Sequence, residues 1–181
     1  MIDYLTLMLI NVAAGLVILA LYIVRGLELE KTAHWAPAFA VTGLVASVGG
    51  FMLTFTWPLP PPYNIPYGEL SVLFGVLFLG TAWAVAKGWS LLPLTIYAFF
   101  AGLASIVIGL RFIHLSLSNS PVLTGIGFIL TGLGGIFAGA AVWLKKQKSI
   151  RCFGAAVMLA AAGIWLLTGI MAYWLHLNVK G

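Results

Sequence analysis

Six apolar stretches joined by short polar connections predict an all-α integral membrane six-helix bundle, folded as one transmembrane domain over residues 1–181. Three observations carry that prediction. Of the 181 residues, 62% are hydrophobic and only 7% are charged, against about 25% charged in ordinary soluble domains; no soluble fold of this size can bury so much apolar surface under a solvated exterior. The stretches, about 2–24, 36–57, 68–86, 91–113, 122–144 and 152–175, are 19 to 24 residues long, which at ~1.5 Å per residue matches a ~30 Å hydrocarbon core. They are also apolar on every side, whereas a membrane β-barrel requires alternation. The same composition excludes a disordered chain and a disulfide-stapled secreted domain, Cys152 being the single cysteine.

Local chemistry marks the boundaries in order. Stretch 2–24 lacks a basic segment before it and is too long for a signal sequence, so it is expected to remain as a span. Pro37 falls in the first turn of the second stretch and Pro121 in that of the fifth, where a proline costs no hydrogen bond. Ser118, Asn119 and Ser120 are positioned to cap the fifth, and Ser90 with Pro93 does the same for the fourth. The connection from Pro58 to Tyr67 holds five of the eight prolines and is expected to be extended and stiff, not helical. Trp35, Trp57, Trp89, Trp143 and Trp174 lie near the ends of stretches, as an interfacial belt requires.

Orientation follows from the cations. Arg25, Lys31, Lys87, Lys145, Lys146, Lys148 and Arg151 fall on one side, and only Arg111 and Lys180 on the other. The positive-inside rule makes the first side cytoplasmic and predicts that both termini lie outside. The formal charge of +5 is therefore a topology signal and a contact for anionic headgroups, not a sign of nucleic-acid binding. An offset of 86 residues pairs Arg25 with Arg111, Trp57 with Trp143 and Gly68 with Gly154, a match that fits either a weak three-plus-three inverted repeat or chance between two halves rich in glycine, alanine and leucine. The 21 glycines suit close helix packing, most densely in the fifth stretch, where Gly135 and Gly139 have GxxxG spacing. That helix is expected at the bundle centre or on an oligomer face.

Ionisable groups in or near a span are costly and mark candidate sites. Most lie on the outer side: Asp3, Glu69, Arg111, His114 and His176, with Asn11, Asn64, Tyr63 and Tyr67 as polar neighbours. Glu69 could bind a cation, accept a proton or pair with Arg111, or it could simply be a first-turn carboxylate stabilised by the helix dipole. Arg111, against the charge bias of its side, calls for a partner, with Glu69 first and Asp3 next; a structural ion pair and a ligand clamp fit equally. Glu69, Arg111, Tyr67 and Asn64 form the expected ligand-binding set. His114 and His176, at one depth on different helices, could ligate a b-type haem or a divalent metal, or could simply be hydrated. Arg151 and the Glu28 to His34 connection read as solvated. Trp165 and Tyr97 are expected to pack inside the bundle, each with a polar partner. No HExxH, GxSxG, GxxxxGK or Ser-His-Asp grouping occurs, which leans against an enzyme.

The segment Tyr67-Gly68-Glu69-Leu70 with Val72-Leu73-Phe74-Gly75-Val76, then Gly102-Leu103 and the run Ser120 to Gly135, resembles a family of small bacterial and archaeal membrane proteins catalogued as domain of unknown function 981. The resemblance covers nearly the whole chain. It implies six spans, a glutamate at the position of Glu69, a variable position at His114 and no assigned activity.

These readings lead to three functions. The first is binding or transport of a small solute or ion at the outer polar site, with the proline connection as a lid. The second is an accessory subunit, as a homo-oligomer or in a larger membrane complex. The third is a redox protein holding haem, quinone or metal, although no cofactor is required by the first two. All place the chain as a multi-pass protein of the cytoplasmic membrane, with the lipid bilayer as its first partner.

Overall fold

The computed structural model describes residues 4–29 and 32–177, with side chains over 5–29 and 32–175. The helices are α1 (Tyr4–Leu21), α2 (Ala36–Thr56), α3 (Leu70–Lys87), α4 (Leu92–His114), α5 (Pro121–Trp143) and α6 (Lys148–Leu177). A π-helical turn, Tyr22–Gly26, prolongs α1; a second, Ile65–Glu69, leads into α3; a 3-10 turn, Ala33–Trp35, leads into α2. Among the described residues, six segments are long and apolar enough to cross a membrane, as the sequence predicts.

Two boundaries differ from expectation. The third helical segment begins at Ile65, so the end of the proline connection is helical and not extended. Pro66 is tolerated because it stands in the first turn, where its missing N–H leaves no helical bond unmade. Upstream, the buried Asn64 draws the loop closed: its side-chain oxygen accepts from Leu59 N at 2.9 Å and its amide donates to Leu59 O. The sixth helix begins at Lys148, which moves Arg151 out of the basic connection and onto a helix face. The fourth start follows the sequence, Ser90 Oγ accepting from Leu92 N at 3.2 Å. The fifth does not: Ser120 makes no capping bond, and Ser118 instead meets the Thr124 hydroxyl at 3.0 Å.

Each helix packs on its neighbour in sequence, and α6 closes onto α1, so the bundle is a ring in chain order. The densest seams are α2–α3, α4–α5 and α6–α1, and α3–α4 is the sparsest. Lipid tails are as apolar as leucine, so helices in a bilayer associate through close packing more than through burial. The α2–α3 and α4–α5 seams achieve it with one device used twice. A Cβ on Gly43 would meet Gly75 O and Leu79 N, and one on Gly50 would meet Gly68 O and Val72 N, all within 3.0 Å. A Cβ on Gly102 would meet Gly132 O and Ile136 N, and one on Gly109 would meet Gly125 O and Ile129 N, at 2.5–3.1 Å. Both hairpins thus place glycines seven residues apart on each helix and lay backbone against backbone. Of the GxxxG pair in α5, Gly135 shares this seam, a Cβ there falling 2.5 Å from Ala98 O, while one on Gly139 would meet only Thr95, at 3.3 Å. The α6–α1 seam relies on side chains: Leu9, Ala13 and Leu16 of α1 bury with Met158, Ala161 and Trp165 of α6.

The ring has two polar ends. The terminal end holds the start of α1, the end of α6 and the connections 57–64 and 115–120; the basic end holds the connections 27–35, 88–91 and 144–147.

Candidate functional site

The residues singled out in the sequence gather loosely at the terminal end. Glu69 closes the second π-turn, four residues into the helical segment and not at its start, and its exposed carboxylate makes no capping bond. Arg111 and His114 are exposed on the last turn of α4. No ion pair joins Glu69 to Arg111; among the described residues the one ion pair lies at the opposite end. Two π-turn and loop residues point elsewhere. Asn64 spends its amide on Leu59, and Tyr67 turns its ring inward, onto Phe112 at 5.9 Å and Phe128 at 5.7 Å between centroids. The side chain of His176, and all of Asp3, lie outside the described residues. Among those described, no three His, Cys, Asp or Glu side chains stand together.

Tyr67 leads to the feature that the sequence did not announce. A cavity of about 620 Å³ runs inside the ring, from Pro66 and Tyr67 at the terminal end to Leu27, Val142 and Ile150 at the basic end. Its walls are chiefly leucine, phenylalanine, alanine and glycine, and no charged side chain lines it. Four of the lining hydroxyls are turned back into the protein. Thr81 donates to Leu77 O, Thr95 to Leu92 O and Ser105 to Phe128 O, all at 2.7–2.8 Å. Thr131 donates to Gly127 O and accepts from the Trp165 indole at 3.0 Å. Asn11 donates to Thr42 O across the α1–α2 seam. A cavity with so few polar groups, most of them bonded within the protein, offers water few partners and favours apolar contents.

The expected polar partner of Trp165 is therefore Thr131. Tyr97 departs from expectation: it is 40% exposed on the outer surface of α4, where an amphipathic ring near a helix start meets the interface without a protein partner.

Each end of the cavity abuts a π-turn. Such turns widen the helix and are concentrated at functional sites. At the basic end, Tyr22 and Ile23 of the first π-turn line the space, and the Tyr22 ring lies over Gly26, where a Cβ would fall 2.2 Å from it. Arg151 of α6 holds this turn. Its Nη1 donates to Val24 O at 2.9 Å and its Nη2 pairs with Glu28 at 2.7 Å, while its buried Nε has no partner. The arginine side chain is 5% exposed and the glutamate 48%. Arg151 thus belongs to a buried clamp rather than to the solvated basic connection, because the α1 extension supplies both a carbonyl and a carboxylate to it. Its helical phase was the available signal: Arg151, Ala155, Met158, Ala162 and Trp165 fall on one stripe, and all five are buried.

No curated protein and no solved structure matches the chain. One family model does, described as a protein of unknown function (DUF981), and it spans residues 1–179. With nearly every residue covered, and with six apolar helices arranged as a closed ring, the chain belongs to the DUF981 family of unknown function.

Proposed function

We propose that this protein binds a small lipid-soluble molecule inside its helix ring, as a membrane-embedded binder or carrier. The observation that supports the reading is the cavity of about 620 Å³, with mainly apolar walls and no charged lining, in which Thr81, Thr95, Ser105 and Thr131 donate to the protein's own carbonyls. That volume falls in the range of small-molecule pockets, about 300–1,000 Å³. Solute binding, as expected from the sequence, is retained; its site moves from the outer rim to the core. Of the four residues expected to bind ligand, Tyr67 lines the cavity, Asn64 closes the loop that precedes it, and Glu69 and Arg111 stand exposed outside its lining.

Gly154 gives a clean test. It lines the cavity, and a Cβ there would have nothing within 4 Å, so Gly154→Leu fills the space without forcing the backbone apart. Native mass spectrometry of protein released from mild detergent is expected to find a retained apolar molecule on the wild type and none on Gly154→Leu. Lipid-soluble compounds should also raise the wild-type unfolding temperature, by the equivalent of about 2.7 kcal/mol at a hundredfold excess over Kd. A wild type that retains nothing and gains no stability from any such compound overturns the reading.

A further inference from the structure

We infer that the occupant of the cavity is one acyl chain of an anionic lipid, which enters sideways from the leaflet at the basic end through an opening beside Phe137 and Phe153. The inference rests on the cavity reading above and gives it a ligand class and a route. Of all the side chains that line the cavity, only these two are exposed, Phe137 of α5 at 57% and Phe153 of α6 at 71%. A residue that both lines an internal space and faces the surrounding lipid marks the place where the two communicate. Here the space between is unfilled at Gly154, the next residue of α6.

The walls and the depth select a hydrocarbon chain. No charged group lines the space, and the hydroxyls of Thr81, Ser105 and Thr131 are engaged elsewhere, so a polar solute would lose its hydration with little compensation. A chain that spans one leaflet measures ~15 Å, half of the ~30 Å hydrocarbon core. At ~1.5 Å per helical residue that length corresponds to about ten residues of α6. Entering at Gly154, such a chain runs along the wall that Val157, Met158 and Trp165 of α6 line.

The head is selected by charge. The connection that joins the two helices of the opening carries Lys145, Lys146 and Lys148, all exposed. No aspartate or glutamate occurs anywhere after Glu69, and the carboxylate of Glu28 is taken by Arg151. A lipid whose chain passes Phe153 therefore leaves its head among three exposed lysines, the arrangement that attracts anionic headgroups at a membrane surface. If the expected orientation holds, this is the cytoplasmic leaflet.

The test uses Trp165 as the reporter, read as the difference in fluorescence between the wild type and Trp165→Phe. Protein is placed in nanodiscs of phosphatidylcholine with a minority of phosphatidylglycerol. Bromines are placed near the chain end of either the anionic lipid or the same fraction of the zwitterionic one. Because Trp165 is buried, bulk lipid does not reach it. The expected result is loss of the Trp165 component with brominated phosphatidylglycerol and not with brominated phosphatidylcholine. Gly154→Leu, which keeps the indole, should restore the emission, and Lys145→Gln with Lys146→Gln and Lys148→Gln should abolish the preference. Equal quenching by both lipids overturns the headgroup selection, and quenching that persists in Gly154→Leu overturns the route. Absence of quenching by either, with an apolar molecule still retained in native mass spectrometry, overturns this inference and leaves the cavity reading standing. Absence of both overturns the two together.

Discussion

The two ends of the bundle each carry an arginine and a glutamate, and they use them in opposite ways. At the basic end Arg151 is buried, paired to Glu28 and bonded to the π-turn carbonyl of Val24. At the terminal end Arg111 and Glu69 are exposed and do not pair. The difference comes from the backbone around them. Arg151 enters a helix face that the extension of α1 covers, so its charge leaves water and must find partners. Arg111 lies on the last turn of α4 and remains hydrated, with the helix carbonyls as favourable company for a cation. A charged residue in a membrane chain thus acquires structural weight through what covers it.

Breaking the basic clamp should have the largest effect, and the two partners should not be equivalent. Glu28→Ala strands a buried guanidinium and is expected to cost about 3 kcal/mol. Arg151→Met leaves a carboxylate that is already half exposed, which water can accept, and fills the space with an apolar side chain; a cost of about 1 kcal/mol is expected. Denaturant unfolding in mixed micelles, followed by helical circular dichroism, gives both values. Equal losses for the two variants would show that the clamp acts through packing and not through the buried charge.

The terminal end has its own structural polar residue, and it is uncharged. Asn64 is buried and makes two hydrogen bonds to Leu59, which close the loop before the second π-turn. Asn64→Ala leaves the Leu59 amide and carbonyl without those partners, and is expected to cost about 2 kcal/mol by the same unfolding measurement. Proteolysis between Pro58 and Tyr63 should increase with it. An unchanged loop in this variant would assign closure to the prolines alone.

The spans were legible because hydropathy in a bilayer is a strong constraint, and the Ser90 cap and the Trp165 partner followed from obligations that a backbone amide and a buried indole carry anywhere. Other features left no such mark. The paired glycines of the two hairpins, Gly43 with Gly75 and Gly102 with Gly132, are hidden among many glycines whose spacing alone does not say which face meets a neighbour. Arg151 was read with the lysines beside it, since charge rules count residues near a span end and ignore where the helix begins. The cavity has no signature in sequence because it is missing volume, bounded by ordinary leucines and alanines from five helices. Asn11, Tyr67 and Trp165, singled out for other reasons, are among its lining residues.

The smallest expected effect is also the one that separates the two ends most sharply. Exposed charges without a partner contribute little, so Glu69→Gln and Arg111→Gln should each change stability by less than about 0.5 kcal/mol. The double variant should then equal the sum of the singles, because residues that share no contact are additive within about 0.5 kcal/mol. The corresponding cycle on Glu28 and Arg151 should show a clear coupling, since each single variant removes a contact that the other also removes. A coupling at the terminal end that matches the basic end would mean that Glu69 and Arg111 meet in the membrane, and the rim would have to be counted with the cavity as part of one site. Additivity there, with coupling at Arg151, leaves Glu69 and Arg111 as exposed groups apart from the cavity that Tyr67 lines.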